Sequence, residues 1–311
     1  MTTGLFTHAA CLAHETPPGH PESSDRLRAI LHALEGVSGL LREEAPAAER
    51  AQLLRAHDGA LIDKVLVTLA EEAEREHFVR VDADTAMSAG SAEAALRAAG
   101  AAIAAVDRVM AGGIKNAFCA VRPPGHHAER ARAMGFCLFN NVAIAGLHAR
   151  ESHGLKRIAV IDFDVHHGNG TQDIFWNDPD LFYASTHQWP LYPGTGRPAE
   201  TGIANNILNA PLAAGSGSEA FRATFTNAVL PALDSFAPDF IFISAGFDAH
   251  RADPLAELLL TEEDFAWATR EICAIAARRC RGRVVSTLEG GYDLNALARS
   301  AVAHVQALME A

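Results

Sequence analysis

The sequence predicts an α/β domain built on a parallel sheet of about eight strands with helices on both faces, and three observations point to it. Short apolar, β-rich runs alternate with longer stretches of helical periodicity along the whole chain, the pattern of repeated strand–helix–strand units. No Pro/Gly/Ser linker, internal repeat or block of like charge divides the 311 residues, so residues 1–311 read as a single domain. Polar motifs rich in His, Asp and Gly follow the candidate strands directly, where open parallel sheets place their ligand sites.

In chain order, Leu5–Thr7 and Val79–Asp82 are short, weaker strand candidates. Ser91–Met110 has helical spacing and so much alanine that it should pack closely on a neighbour, with Ser91 placed to cap it. Asn116–Val121, Arg157–Asp162 and Leu181–Ser185 are clear strands, followed by the weaker Ile207–Pro211. Glu219–Phe236 is helical, Phe240–Ser244 is a strand, and Thr261–Arg279 is a helix opened by the capping box Thr261-Glu-Glu-Asp264. The strand Arg283–Leu288 and the helix Leu294–Met309 complete the chain.

Composition narrows the function. Hydrophobic residues are 49% and charged residues 21%, as in a folded globular protein and unlike a disordered one. Against 38 Asp and Glu stand 26 Lys and Arg, a net charge of −12 that repels phosphate backbones and argues against nucleic acid as a ligand. The same field would attract lysine-rich peptides and polyamines, while a soluble protein can also be acidic for solubility alone. Five cysteines, Cys11, Cys119, Cys137, Cys273 and Cys280, form no C-x-x-C pair and no disulfide framework, which suits a reducing compartment. The first residues lack the basic and apolar regions of a secretory signal, and no run reaches the ~18 apolar residues of a membrane span. A cytoplasmic protein with no membrane partner is expected.

Four strand ends carry the chemistry: Arg122-Pro-Pro-Gly-His-His127, Asp162-Phe-Asp-Val-His-His-Gly-Asn-Gly170, Ala245-Gly-Phe-Asp248 and Glu289-Gly-Gly-Tyr292. Asp164 and His166 are two apart in an extended run and so face one way, and Asp248 arrives from another strand end. Two oxygen donors and one nitrogen donor can hold a divalent ion and leave a position open, the arrangement of a catalytic zinc site. His126 and His127 offer imidazoles to take a proton from a water, with Asp162 and Asn169 as acceptors for their other ring nitrogens. Tyr292, after two glycines, can donate its phenol to the oxyanion of a tetrahedral intermediate.

Together with Gly135-Phe-Cys-Leu-Phe-Asn-Asn141, His20-Pro-Glu-Ser-Ser-Asp-Arg26 and Ala245-Gly-Phe-Asp-Ala-His250, these motifs make the chain resemble the histone deacetylase family over nearly its whole length. The Gly-Asn-Gly-Thr-Gln172 form resembles the class II and bacterial amidohydrolase branch, which includes acetylpolyamine amidohydrolases. The resemblance implies an arginase/deacetylase fold, one catalytic zinc ion on Asp164, His166 and Asp248, and hydrolysis of an N-acyl amide to an amine and a carboxylate. It further implies that His127 is the general acid/base, His126 its partner, and Tyr292 the group that polarises the carbonyl. Gly135 and Phe136 would wall the substrate tunnel, with Tyr192 where a Phe usually stands opposite, and Arg26 would line an exit channel for acetate. A structural potassium ion is expected at Asp162, Asp164, His166, Ser185 and Thr186, and a second at Phe175, Asp178 and Leu181.

Asn169 stands where class I relatives carry an aspartate, so His127 should stay neutral more easily than His126, which faces Asp162. Two rival readings are an arginase-like ureohydrolase, which needs a second metal and more carboxylates than His166-His167-Gly supplies, and an inactive acyl-lysine binding module, which should lack Tyr292 or a metal ligand. Neither matches these residues. Leu255 bears on substrate choice, since polyamine-selective relatives carry a glutamate at the matching place. A leucine there favours acyl-lysine or a broad range of N-acyl amines over dedicated acetylpolyamine hydrolysis.

Overall fold

A computed structural model describes residues 2–311. Its centre is an eight-stranded sheet in which every pairing is parallel. The strands are β1 (Thr3–Thr7), β2 (Leu40–Glu44), β5 (Asn116–Cys119), β6 (Ile158–Asp162), β7 (Leu181–Gln188), β8 (Ile207–Leu212), β9 (Phe240–Ala245) and β10 (Val284–Leu288); β3 (Val79–Arg80) and β4 (Ala86–Met87) form a separate antiparallel pair. Across the sheet the order is β2-β1-β5-β10-β9-β6-β7-β8. Of the six inner strands, β5, β6, β7, β9 and β10 are buried at every residue and β1 at all but its last, as expected of a parallel sheet covered on both faces.

Helices Ser91–Met110 and Asn141–His153 pack together over one face, while Ser24–Glu35, Glu262–Arg279 and Leu294–Glu310 pack over the other. The alanine-rich helix approaches its neighbour as closely as its composition predicts: a Cβ on Gly100 would lie 1.9 Å from the carbonyl oxygen of Pro46. The predicted capping box on Thr261 and Asp264 is formed.

Three expectations are corrected. Val79–Asp82 supplies no strand to the main sheet; Val79 and Arg80 pair with Met87 and Ala86 in the short antiparallel ribbon. The eighth strand is instead β2, with sequence Leu-Leu-Arg-Glu-Glu, which pairs on one side only and so keeps charged side chains in water. Ser91 is not a cap residue but the first residue of its helix, where its hydroxyl accepts from the Ser88 amide at 2.7 Å and contacts His14 Nδ1 at 2.7 Å.

Candidate active site

The order of strands brings the motif-bearing ends together. β5, β10, β9 and β6 are consecutive neighbours, so the loops after them converge on one rim. A cavity of about 230 Å³ opens there, lined among others by His126, His127, Gly135, Phe136, His166, Tyr192, Leu255 and Tyr292.

At its floor, His166 Nδ1 lies 3.1 Å from Asp164 Oδ1 and 3.1 Å from Asp248 Oδ2. One donor atom from each of the three residues falls within 4.8 Å of the others. The carboxylates are held by backbone donors: Val165 N–H to Asp248 Oδ1 at 2.9 Å, and Gly290 N–H to Asp164 Oδ2 at 2.8 Å. Glycines make room around them. A Cβ on Gly290 would lie 2.0 Å from Asp248 Oδ2, and one on Gly246 would lie 2.0 Å from Asp164 Oδ2. Burial raises the Asp248 carboxyl and the Asp164 charge raises it further. Burial opposes protonation of His166, yet Asp164 and Asp248 hold it at about 10. Two buried carboxylates facing one imidazole form a donor set short of positive charge, and a divalent ion with a preference for N and O ligands fits it.

The two histidines stand in different fields. His126 Nδ1 donates to Asp162 Oδ2 at 3.0 Å, and burial, which disfavours its charge, is outweighed by Asp164 and Asp162, which raise it to about 10. Tyr183 donates its phenol to the same Asp162 oxygen at 3.0 Å. His127 Nδ1 lies 2.8 Å from Asn169 Oδ1, while Asn169 Nδ2 donates to Glu129 Oε1 at 2.7 Å. That second bond fixes the amide orientation, so His127 carries its proton on Nδ1 and keeps a lone pair on Nε2. Burial, His126 and His166 push His127 well below the ordinary imidazole range. His127 is thus the less readily protonated of the two, through burial and the neighbouring imidazoles, whereas Asp164 and Asp162 favour charge on His126.

The remaining residues form the walls. Gly135 adopts φ +58°, and a Cβ there would lie 2.5 Å from the His127 ring; Tyr192 meets that ring edge-on at 5.2 Å. Phe136 and Tyr292 meet edge-on, their ring centroids 6.1 Å apart. Leu255 sits at the mouth, 37% exposed, and Asp84 supplies a carboxylate to the lining. Burial holds the Tyr292 phenol well above its usual value, so it remains a proton donor. The Arg26 guanidinium lies 4.8 Å from the Tyr292 ring centroid and donates to the carbonyl oxygens of Gly291 (2.6 Å) and Glu289 (2.5 Å).

Several contributors have roles that the sequence does not reveal, although Glu22 and Glu289 stand inside its motifs. Glu289 is wholly buried and accepts from the amides of Gly125 (2.7 Å) and His126 (3.1 Å), tying the histidine turn to the tyrosine loop. Burial raises it to about 7. Glu22 is shared by Arg26 and Arg122, also fully buried. Asp253 accepts from the amides of Leu255 (3.0 Å) and Tyr292 (2.7 Å), linking two walls of the cavity. None of these three lines the cavity, and only their contacts reveal what they hold.

The expected potassium residues gather beside the floor. Asp162 on β6 pairs in register with Ser185 on β7, the Thr186 hydroxyl is buried without a partner, and the carbonyls of Asp164 and His166 accept no backbone hydrogen bond among the described residues. Unsatisfied oxygen donors of this kind suit a hard monovalent cation. Another group, Asp107, His148 and His153, lies on the outer surface. Arg55 Nη1 is 2.7 Å from His148 Nδ1, which leaves His148 Nε2 protonated and donating to Asp107 Oδ1 at 2.7 Å. This group is a hydrogen-bonded cluster and presents no lone pair there to a metal.

The family model described as "Histone deacetylase domain" matches residues 20–308. "Histone deacetylase 14, chloroplastic" of Arabidopsis thaliana is 40% identical over 98% of this chain and 76% of its own. "Histone deacetylase-like amidohydrolase" of Pseudomonas aeruginosa is 38% identical over 94% of this chain and 82% of its own. The solved structure titled "Crystal Structure of HDA15 HD domain" matches with a TM-score of 0.93 at 35% identity, covering 99% of this chain and 88% of that one. The family model spans most of the chain and the fold is shared with the solved domain, so the chain belongs to the histone deacetylase family of deacetylases and amidohydrolases.

Proposed function

We propose that residues 1–311 form one catalytic domain that removes an acetyl or other acyl group from an N-acylated amine, using a single zinc ion on Asp164, His166 and Asp248. The carrying observation is the convergence of that donor set with His126, His127 and Tyr292 around one cavity. When bound, the ion would act as a Lewis acid, polarising the acyl carbonyl and acidifying a water. His127, neutral with its Nε2 lone pair toward the cavity, takes a proton from the attacking water and later delivers one to the departing amine. His126, paired with Asp162, orients that water and balances charge. Tyr292 donates to the carbonyl oxygen as negative charge develops on it, in a loop anchored by Arg26 and Asp253. Gly135, Phe136 and Tyr192 hold the aliphatic stem of the substrate, and Arg26 flanks the path for the carboxylate product. Asp162, Asp164, His166, Ser185 and Thr186 would hold a potassium ion, which would supply charge to their oxygens and stiffen the loop that bears the donors.

Acyl-lysine, or a broad set of N-acyl amines, is the substrate class that Leu255 supports, because no carboxylate stands at that point of the mouth to bind a distal ammonium. Dedicated acetylpolyamine hydrolysis is the second reading, favoured by the Asp84 carboxylate in the lining. Five buried thiols suit a reducing cytoplasm. Rates on a fluorogenic acetyl-lysine peptide, acetylspermidine and acetylputrescine, each with and without a chelator, test the proposal. Chelator-sensitive hydrolysis with a preference for the peptide is expected, and a tenfold or larger preference for either acetylpolyamine would transfer the assignment to the second reading.

A further inference from the structure

Asn206 is a buried polar residue with no part in the proposed reaction. It immediately precedes β8 and is 3% exposed. Its Nδ2 lies 3.0 Å from the carbonyl oxygen of Phe175, 3.1 Å from that of Asp178 and 2.8 Å from that of Leu181. These carbonyls belong to the last residue of the helix Asn169–Phe175, the connection after it and the first residue of β7. An amide nitrogen offers two hydrogens and no lone pair, so three oxygens converge on one centre of partial positive charge. Asn206 Oδ1 accepts from the Ala204 amide at 3.3 Å. The opposite amide orientation would aim that oxygen at three carbonyls, so the contacts fix it. The neighbouring chain leaves room, because Gly202 adopts φ +70° and a Cβ there would lie 2.4 Å from Asn206 Oδ1.

Phe175, Asp178 and Leu181 are the residues at which the family resemblance implies a second potassium ion, and the structure does not fit one: the point where their carbonyls converge is taken by the amide. The contrast with the first cation position is direct, since there the Asp164 and His166 carbonyls accept no backbone hydrogen bond and the Thr186 hydroxyl is unpartnered. We infer that Asn206 is a built-in substitute for a monovalent cation, so that the chain binds one potassium ion instead of two. An uncharged, covalently attached donor satisfies the three carbonyls without supplying a charge. The connection into β7, the strand that carries Ser185 and Thr186, therefore keeps its shape at any potassium concentration.

The test counts cations in the zinc-loaded full chain, with rubidium as the probe. Crystals grown in rubidium chloride should show, besides the zinc, one rubidium peak that disappears below the rubidium edge, beside Asp162 and Ser185, and none among the Phe175, Asp178 and Leu181 carbonyls. Asn206→Ala opens the cradle and should show a second peak there. In solution, potassium replaces choline at constant chloride while the melting temperature is followed. For a chain of this length one site raises it by about 2 °C per tenfold rise in potassium above the dissociation constant, and two sites by about 4 °C. Wild-type protein should follow the first slope and Asn206→Ala the second. Rubidium bound among those carbonyls in the wild-type chain would overturn the inference, as would a folded Asn206→Ala with one peak and an unchanged slope. If the variant does not fold, the wild-type count still decides. The count of one rests on the proposed potassium site at Asp162; no peak there would refute that reading and leave the Asn206 inference standing.

Discussion

Gly290→Ala places one methyl group where the structure has no space for it. A Cβ at this position would lie 2.0 Å from Asp248 Oδ2 and 2.6 Å from Asp164 Oδ2, against at least 3.4 Å for an ordinary contact. The nearer carboxylate oxygen must retreat by about 1.4 Å, several times the ~0.2 Å over which metal–ligand distances vary. Gly290 does not have a positive φ, so alanine is compatible with the backbone and the conflict falls on the metal ligands alone. Zinc affinity should fall at least a hundredfold, since removing an outer partner already costs ten- to a hundredfold and here a direct ligand is displaced. Zinc content by elemental analysis after dialysis against a weak chelator, with circular dichroism to establish folding, is the assay. A folded Gly290→Ala protein that retains one zinc per chain would show that Asp248 and Asp164 do not hold the ion as argued.

Tyr292→Phe should retain zinc and most substrate affinity while turnover drops on the order of a hundredfold or more, with a smaller loss on trifluoroacetyl amides, whose carbonyls need less polarisation; equal turnover on acetyl-lysine would exclude the donor role. Leu255→Glu should move the ratio of kcat/KM values toward acetylspermidine and acetylputrescine, and an unchanged ratio would remove Leu255 from substrate choice. His304, buried between Thr269 and Ser286, is pushed by burial down to about 3. Its unfolded form binds a proton more readily, so its neutral state stabilises the fold above pH ~6.5 and that stability is lost as pH falls below it, by about 2 kcal/mol at pH 5. Urea denaturation at pH 7 and pH 5 should show a pH difference smaller by about that amount in His304→Leu, and an undiminished difference would place the titration elsewhere.

What the sequence makes legible here follows strand ends. Asp164, His166, Asp248, His126, His127 and Tyr292 each stand just after a strand, and a parallel sheet can only send such residues to one rim, so their meeting is predictable before any coordinate. β2 is not legible because an edge strand paired on one side keeps polar residues, and Leu-Leu-Arg-Glu-Glu reads as surface. Val79 and Arg80 show the converse, a strand-like pattern that finds only the local partner β4. Glu289, Asp253 and Asn206 act through backbone groups of distant loops, and no spacing rule encodes which amide or carbonyl a side chain will reach. The expected second potassium position shows the same limit: its carbonyls belong to any residue type, while the Asn206 amide that reaches them lies 25 residues beyond Leu181.

If one divalent ion on Asp164, His166 and Asp248 serves amide hydrolysis at this cavity, activity must follow its occupancy. The protein is stripped of metal and zinc is titrated back while hydrolysis of an acetyl-lysine peptide is followed. Activity should be absent at the start, rise in proportion to added zinc, and break sharply at one equivalent per chain. Full activity in the stripped protein, or a break at two equivalents, would contradict it.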